Sequence, residues 1–426
     1  MTMNPVNITV IGTGYVGAVT GACLADLGHT ITFVGRDQKK LDLIASGVSP
    51  IFEKGLDDLL EKNKARIRTT TDLAGAVRDS EVTFICVGTP SLPDGSIDLG
   101  QVKEVSRTIG KSLGKDGNYH TVIVKSTVLP GTTETAVIPI LEEESGKKAF
   151  LDFGVASNPE FLKEGTAVED FFHADRVVIG VDDEKSRKVL EQVYEPLDAP
   201  VFFTTIRTSE MVKYTSNAFL ATKISFANEI GNLCKKMGID SYEVFEGVGM
   251  DSRIGHQFFR SGIGFGGSCF PKDVRALIAH ARTLGTEPFV LDAVMERNET
   301  QPENLVGLLK RHVDIRGKTI GVLGLAFKPD SDDIRETRAV PVIKSLLREG
   351  AKVIAFDPVA TENFRPLFPG ITYAKTAGEV LDADAVLIVT EWKEFEGLDY
   401  RGKVVIDGRR IGKARMEAAI YEGVCW

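Results

Sequence analysis

Cysteine is scarce and scattered. Five residues, Cys23, Cys86, Cys234, Cys269 and Cys425, are spread over 426 positions. Their number is odd and no two form a CxxC pair, so neither a disulfide framework nor a zinc site is expected, and no other metal site suggests itself. Such a chain reads as reduced and cytoplasmic, with any special cysteine reactive rather than structural. Long apolar runs are also missing. Nothing approaches the ~18–20 continuous apolar residues of a membrane helix. Met1 to Pro5 leads straight into an apolar strand without the basic and apolar regions of a secretory signal. Positive charge is in deficit, with 51 Lys+Arg against 60 Asp+Glu and a net charge of −9. Without a basic block, nucleic acid is a poor partner, and no membrane partner is expected either. What remains is an ordinary globular composition, 43% hydrophobic and 26% charged, and enough chain for two to four domains.

Short apolar strands alternate with helix-patterned stretches in the first third. Asn7–Ile11, Thr30–Val34, Val82–Val87, Thr121–Lys125, Gly154–Ala156 and Arg176–Gly180 have strand composition, and Tyr15–Leu27 and Lys39–Ala45 have helical patterning. This alternation predicts a parallel sheet with helices on both faces. From Ser209 to Lys236 apolar residues recur at helical spacing, which predicts one long helix. Helical patterning returns over Val274–His280 and Pro288–His312. Strands restart at Thr319–Leu323, Lys352–Phe356, Ala385–Val389 and Val404–Ile406. Two internal echoes support the division: Ile8–Gly14 with Ile320–Ala326, and Phe84–Pro90 with Leu387–Trp392. The expected fold is α/β, two Rossmann-like doubly wound domains joined by a long central helix. The expected domains are residues 1–200, 201–312 and 313–426.

Gly12-Thr-Gly14-Tyr-Val-Gly17 follows a strand and opens a helix. In that context GxGxxG is a dinucleotide fingerprint. Gly12 permits the tight turn, Gly14 lets the backbone approach a pyrophosphate, and Gly17 allows helix and strand to pack closely. The helix N-terminus offers free N–H groups to the phosphates. The end of the second strand departs from the NAD pattern: Val34 is followed by Gly35-Arg36-Asp37, with no carboxylate where one normally holds the ribose hydroxyls.

Gly262 to Asp273 reads GIGFGGSCFPKD. Its glycines let backbone approach a ligand closely. Cys269 follows, with Lys272 and Asp273 beyond and a helix starting nearby. A helix N-terminus and a neighbouring cation both favour thiolate. Taken singly, Glu160 reads as a helix-start carboxylate, Lys213 as a surface cation and Asn217 as a helix-face amide one turn from Lys213.

The ordered set IGTGYVG, CVGTP, KSTVLPGTT, NPEFLKEG, KYTSNAFLATKISFANEI, DSRIG, GFGGSCFPKD, GLAFKPDSDDIRE and DGRR resembles the UDP-glucose/GDP-mannose dehydrogenase family from Ile8 to Arg410. The resemblance implies a nicotinamide domain, a central helical dimerisation segment and a C-terminal UDP-sugar domain, in a homodimer or higher homo-oligomer. It implies a four-electron oxidation of a sugar C6 alcohol to a carboxylate. Cys269 matches the nucleophile that forms a thiohemiacetal and then a thioester. Lys213 matches the lysine at the C6 oxygen, and Glu160 the acid–base carboxylate of thioester hydrolysis. Asp273, Asn217 and Thr127 match groups that position water and the reacting oxygen. Cofactor contacts are implied for Gly12, Gly14, Tyr15, Val16, Gly17, Gly35, Arg36, Lys40, Thr89, Ser126, Thr127, Glu164, Lys272 and Arg335. Substrate contacts are implied for Glu160, Phe161, Leu162, Lys163, Glu164, Lys213, Asn217, Arg253, Arg260, Phe265, Gly266, Phe327, Lys328 and Arg409, with Arg253 expected to serve a neighbouring subunit.

Within that family KYTSNAFLATKISF and DSRIG look most like the branch acting on UDP-glucose. GDP-mannose and UDP-N-acetylmannosamine are the alternative substrates. A two-electron hydroxy-acid dehydrogenase or a dinucleotide-binding regulator without turnover would not need Cys269. NAD is the cofactor the family implies. Gly35-Arg36 makes NADP plausible, because a carboxylate at position 35 would repel a 2′-phosphate by about 4 kcal/mol at 4 Å and an effective dielectric of about 20. Asp37 lies near enough to be a substitute ribose contact, and Arg36 stacked on adenine would serve either cofactor.

Overall fold

The computed structural model describes residues 4–113 and 119–426. The chain divides into two compact units, one ending at Thr215 and the other beginning at Ser216.

The first unit is built on β1 (Asn7–Ile11), β2 (Thr30–Val34), β3 (Ile67–Thr70), β4 (Val82–Ile85), β5 (Thr121–Val124), β6 (Gly154–Ser157), β7 (Val177–Val181) and β8 (Val201–Thr204). They form one sheet in the order β3-β2-β1-β4-β5-β6-β7-β8. Neighbours are parallel except β6 and β7, which meet antiparallel. Successive side chains of a strand point to opposite faces, and both faces are buried. Ile8, Val10, Ile31, Phe33 and Phe84 enter one apolar cluster. Ile11, Val34, Ile85, Val122 and Val124 enter another. Each such side chain contributes about 1.5–3 kcal/mol on full burial. That is why the central strands read as continuous apolar runs rather than as alternation. Two helices of this unit concern the site: α1 (Tyr15–Asp26) and α2 (Gln38–Ser46).

The second unit carries β9 (Thr319–Leu323), β10 (Lys352–Phe356), β11 (Thr372–Tyr373), β12 (Ala385–Ile388), β13 (Val404–Asp407) and β14 (Ile420–Gly423). Their order is β11-β10-β9-β12-β13-β14. This is the same 3-2-1-4-5-6 winding as the first six strands of the other sheet, so the two sequence echoes fall on topologically equivalent strands. Ile8–Gly14 and Ile320–Ala326 each run through a first strand and its turn, while Phe84 and Leu387 lie in the fourth strands.

The two turns after the first strands differ in one respect. Behind β9, the N–H groups of Leu325 and Ala326 donate to Asp357 Oδ2 at 2.8 and 3.0 Å. The same oxygen accepts from Trp392 Nε1 at 3.0 Å. The chain's own buried carboxylate therefore fills the place that the other turn leaves open.

The expected long helix spans Ile206–Met237, and further helices cover Phe270–Thr283 and Phe289–Leu309. Among the described residues no helix is long and apolar enough to cross a membrane.

Candidate active site

The glycine turn meets the demands its sequence implies. Gly12 has φ +111°, and a Cβ there would lie 2.5 Å from the Cys86 carbonyl oxygen. A Cβ on Gly17 would lie 1.9 Å from the Gly12 oxygen, whereas one on Gly14 would meet nothing within 4 Å. Gly14 caps α1 without a side-chain bond, and the first turn of α1 carries no acidic residue. An open cradle with unfilled backbone donors fits the pyrophosphate of a dinucleotide.

Around it, the loops after β4 and β5 are tied together. Thr89 Oγ1 donates to the Thr127 carbonyl at 2.8 Å, and Ser126 Oγ to that of Val87 at 2.7 Å. Val16 and Lys40 are half-buried in the first turns of α1 and α2. The Tyr15 hydroxyl donates to Glu53, whose carboxylate also accepts from the N–H groups of Gly165 and Ala167 at 2.6 and 2.8 Å. Burial first and Glu53 second push the Tyr15 phenol well above its ordinary pKa. Glu53 thus fastens the dinucleotide turn to the segment that follows Glu160, a role with no motif to announce it.

That segment, the NPEFLKEG stretch, leaves the end of β6. Glu160 is buried and pairs with Lys213 at 3.0 Å, while its other oxygen accepts the Leu162 N–H at 2.7 Å. Lys213 Nζ also lies 5.3 Å from the centre of the Phe161 ring. Burial alone would raise the Glu160 carboxyl. The charge and hydrogen bond of Lys213, the Leu162 N–H and the charge of Lys125 outweigh it and hold the group below the ordinary carboxylate range. The surface reading of Lys213 therefore fails, since its side chain is inside with Glu160. Lys163 does lie at the surface, on Asp170 at 2.8 Å, and Glu164 is half-buried. Beneath the pair sits a buried lysine that sequence reasoning passed over. Lys125 Nζ donates to Asn158 Oδ1 at 2.9 Å, and Tyr194 donates to the same oxygen at 2.5 Å.

In the second unit the cysteine loop ends where the helix Phe270–Thr283 begins. Cys269 is the N-cap residue and Pro271 stands in the first turn. Cys269 is the one exposed cysteine; the other four are buried. Burial pushes the thiols of Cys86 and Cys425 up to about 12, which leaves them inert near neutrality. Asp273 is 1% exposed. It accepts from Asn217 Nδ2 at 2.6 Å and lies 2.5 Å from Lys272 Nζ.

The loop itself is clamped by three buried amides. Gly262 N donates to Asn228 Oδ1 and Phe265 N to Asn298 Oδ1, both at 2.7 Å. Gln301 Nε2 donates to the Gly262 carbonyl at 2.7 Å. Gly267 N donates to the Arg335 carbonyl at 2.9 Å, and a Cβ on Gly267 would lie 2.7 Å from the Phe327 ring. Lys328 Nζ lies 5.7 Å from the centre of that ring. Arg409 donates to the Val389 carbonyl at 2.8 Å and reaches the Gly264 carbonyl at 3.5 Å. The structure thus gathers Phe265, Gly266, Phe327, Arg335 and Arg409 around the loop. The Arg335 guanidinium turns to Asp333 at 2.7 Å. Arg253 instead forks onto Asp251 on an exposed turn, and Arg260 stands exposed at the loop's start. Sequence reasoning missed Asn228, Asn298 and Gln301, although polar residues on the buried side of an apolar helix pattern are the signal that marks them.

A Rossmann sheet with an open glycine turn in one unit, and an exposed cysteine at a helix N-terminus in the other, are the marks of a dinucleotide-dependent oxidoreductase. Residues 6–198, 207–300 and 321–414 match the NAD binding, central and UDP binding domains of one family. The chain belongs to the UDP-glucose/GDP-mannose dehydrogenase family. It is 46% identical to the UDP-glucose 6-dehydrogenase AglM of Haloferax volcanii, covering 98% of this chain and 99% of that one. A GDP-mannose 6-dehydrogenase of Pseudomonas putida is 40% identical over 98% of this chain and 100% of its own. Among solved structures, a UDP-glucose dehydrogenase from Pyrobaculum islandicum superposes with a TM-score of 0.96 at 46% identity, over 100% of this chain and 99% of the other.

Proposed function

We propose that the chain oxidises UDP-glucose at C6 to UDP-glucuronate. The observation that carries this reading is Cys269, exposed at the start of a helix and adjoining the Asn217–Asp273–Lys272 cluster. An alcohol-to-aldehyde enzyme has no need of such a thiol, whereas an alcohol-to-acid enzyme does. An aldehyde cannot give up a second hydride until a nucleophile has added to its carbon.

Nicotinamide, when bound, supplies the hydride acceptor for both oxidations. The Lys213 ammonium stabilises negative charge on the C6 oxygen during the first. The Cys269 sulfur then adds to the aldehyde carbon, giving a thiohemiacetal that at the next oxidation level is a thioester. Water attacks the thioester carbon, Glu160 takes the proton of that water, and the Cys269 thiolate leaves. Asn217 and Asp273 hold the water and the reacting oxygen, and Thr127 assists in the first unit. Arg409, Lys328 and Phe327 meet the UDP-sugar, with cations suited to a pyrophosphate. The domains are residues 1–200 for the dinucleotide, 201–312 for the helical segment and 313–426 for the UDP-sugar. The five cysteines, four of them buried and none in a disulfide, support a reducing compartment, the cytoplasm. The active form is a homodimer or higher homo-oligomer, for which the apolar face of the long helix is the support.

The test is a panel of UDP- and GDP-sugars scored for reduced cofactor per sugar consumed. Two per UDP-glucose, lost in Cys269→Ser, is the expected result. A ratio of one would mark a simple alcohol or hydroxy-acid dehydrogenase. Turnover of GDP-mannose or UDP-N-acetylmannosamine in preference would move the substrate assignment.

A further inference from the structure

The end of β2 is where a dinucleotide-binding sheet meets the adenosine ribose, because it follows directly on the strand paired to the glycine turn. The pairing is present here: Gly12 N donates to the Val34 carbonyl at 2.8 Å, and Gly35 is the next residue. An enzyme that holds NAD needs an acceptor at this point for the 2′- and 3′-hydroxyls. One that holds NADP needs donors and positive charge for the 2′-phosphate.

Four residues bear on the choice. Gly35 has no side chain and little room for one. A Cβ there would lie 3.0 Å from Thr13 Cγ2, 3.2 Å from Thr13 Oγ1 and 3.4 Å from Leu41 Cδ2. A carboxylate at this position would press on the glycine turn itself. Asp37 is the nearby acid, and its Oδ1 is engaged within the chain. As N-cap of α2 it accepts from Lys39 N at 3.0 Å and Lys40 N at 3.4 Å. Arg36 has a side chain that is 78% exposed, with loose contacts to Gln101 at 3.4 Å and Glu104 at 3.9 Å. It can exchange these for a phosphate at little cost, since solvent-exposed pairs at such distances hold weakly. Lys40 adds a second cation in the first turn of α2.

Resting on the dehydrogenase reading above, we infer that the first domain prefers the 2′-phosphorylated dinucleotide, NADP, with Gly35 and Arg36 setting the preference. Gly35 leaves no carboxylate to repel the phosphate. Arg36 forks onto the phosphate through two N–H groups, and Asp37 fixes the backbone that carries it.

Two measurements test this. The first is the ratio of kcat/KM for NADP over NAD with saturating UDP-glucose, in the wild type and in Arg36→Ala. The expected ratio is above one, falling at least about tenfold in the variant, as for loss of a hydrogen-bonded charge. The second is calorimetric binding of 2′,5′-ADP against 5′-ADP. The 2′-phosphorylated probe is expected to bind at least about tenfold tighter. A wild-type ratio far below one that Arg36→Ala leaves unchanged, with the two probes binding equally, overturns the inference and leaves Arg36 as an adenine-stacking residue. If no nucleotide sugar is turned over with either dinucleotide, the activity reading fails, while the two adenosine probes still decide the cofactor question.

Discussion

Lys213 and Glu160 are a charge pair shut away from water, and removing one end strands the other. Glu160→Gln should cost about 3–5 kcal/mol of stability, as broken buried pairs do. The glutamine should also let the thioester accumulate, visible as a mass increase on Cys269 during turnover. Lys213→Ala should instead slow hydride transfer itself, read by single-turnover absorbance of the reduced cofactor. The sign of the pH effect follows from the depressed Glu160 value. Its contribution to stability is present above the unfolded pKa of about 4.3 and is lost as pH falls through the lower folded value. Lys125 behaves differently. Burial pushes its ammonium down to about 8 from 10.5, against the pull of Cys86 and Glu160. A depressed folded value means stability gained above the unfolded pKa and lost as pH falls through about 8. Wild-type stability in denaturant should therefore rise relative to Lys125→Met between about pH 8 and 10.5. A flat difference across that window would show that burial does not lower the Lys125 pKa.

At the scale of elements, the cysteine loop owes its shape to helices that precede and follow it. Asn298 makes two bonds to Phe265, at 2.7 and 3.0 Å, from inside the helix Phe289–Leu309. Asn298→Ala should cost about 1–3 kcal/mol, the price of a buried amide left unpaired. It should lower kcat more than it raises the KM for UDP-glucose, and steady-state kinetics beside a melting curve checks both. Legibility in the sequence divides along the same physical line. The apolar pattern picks out β1, β2, β4, β5, β6 and β7, and β9, β10, β12 and β13. It passes over β3, β8, β11 and β14, which are the outer strands of the two sheets. An outer strand is half exposed, so Ile67–Thr70 can afford Arg and Thr where a central strand requires Val and Ile. The glycine turn and Cys269 were readable because unusual backbone and unusual chemistry restrict residue type. Glu53 was not, because its work depends on partners far away in the chain.

For the molecule as a whole, the long helix carries Phe219, Phe226 and Leu233 seven residues apart, hence on one face. They are 63%, 52% and 53% exposed. Large apolar side chains in such a row suit cover by another chain, and the homo-oligomer proposed above predicts a second copy of this chain there. Phe226→Glu should yield a monomer by light scattering while keeping the helical signal in circular dichroism. A wild type that is already monomeric when fully active would remove the need for a partner. The two sheets also bear on how many cofactors a chain can hold. Asp357 occupies the turn behind β9 with its own carboxylate, so of these two turns the one behind β1 has donors left for a pyrophosphate. Titration should accordingly give one dinucleotide per chain. A reaction that consumes two oxidising equivalents at one such seat proceeds in two visits, with the half-oxidised sugar kept captive through the interval. A carbonyl trapping reagent added in mid-turnover should therefore recover almost no free aldehyde.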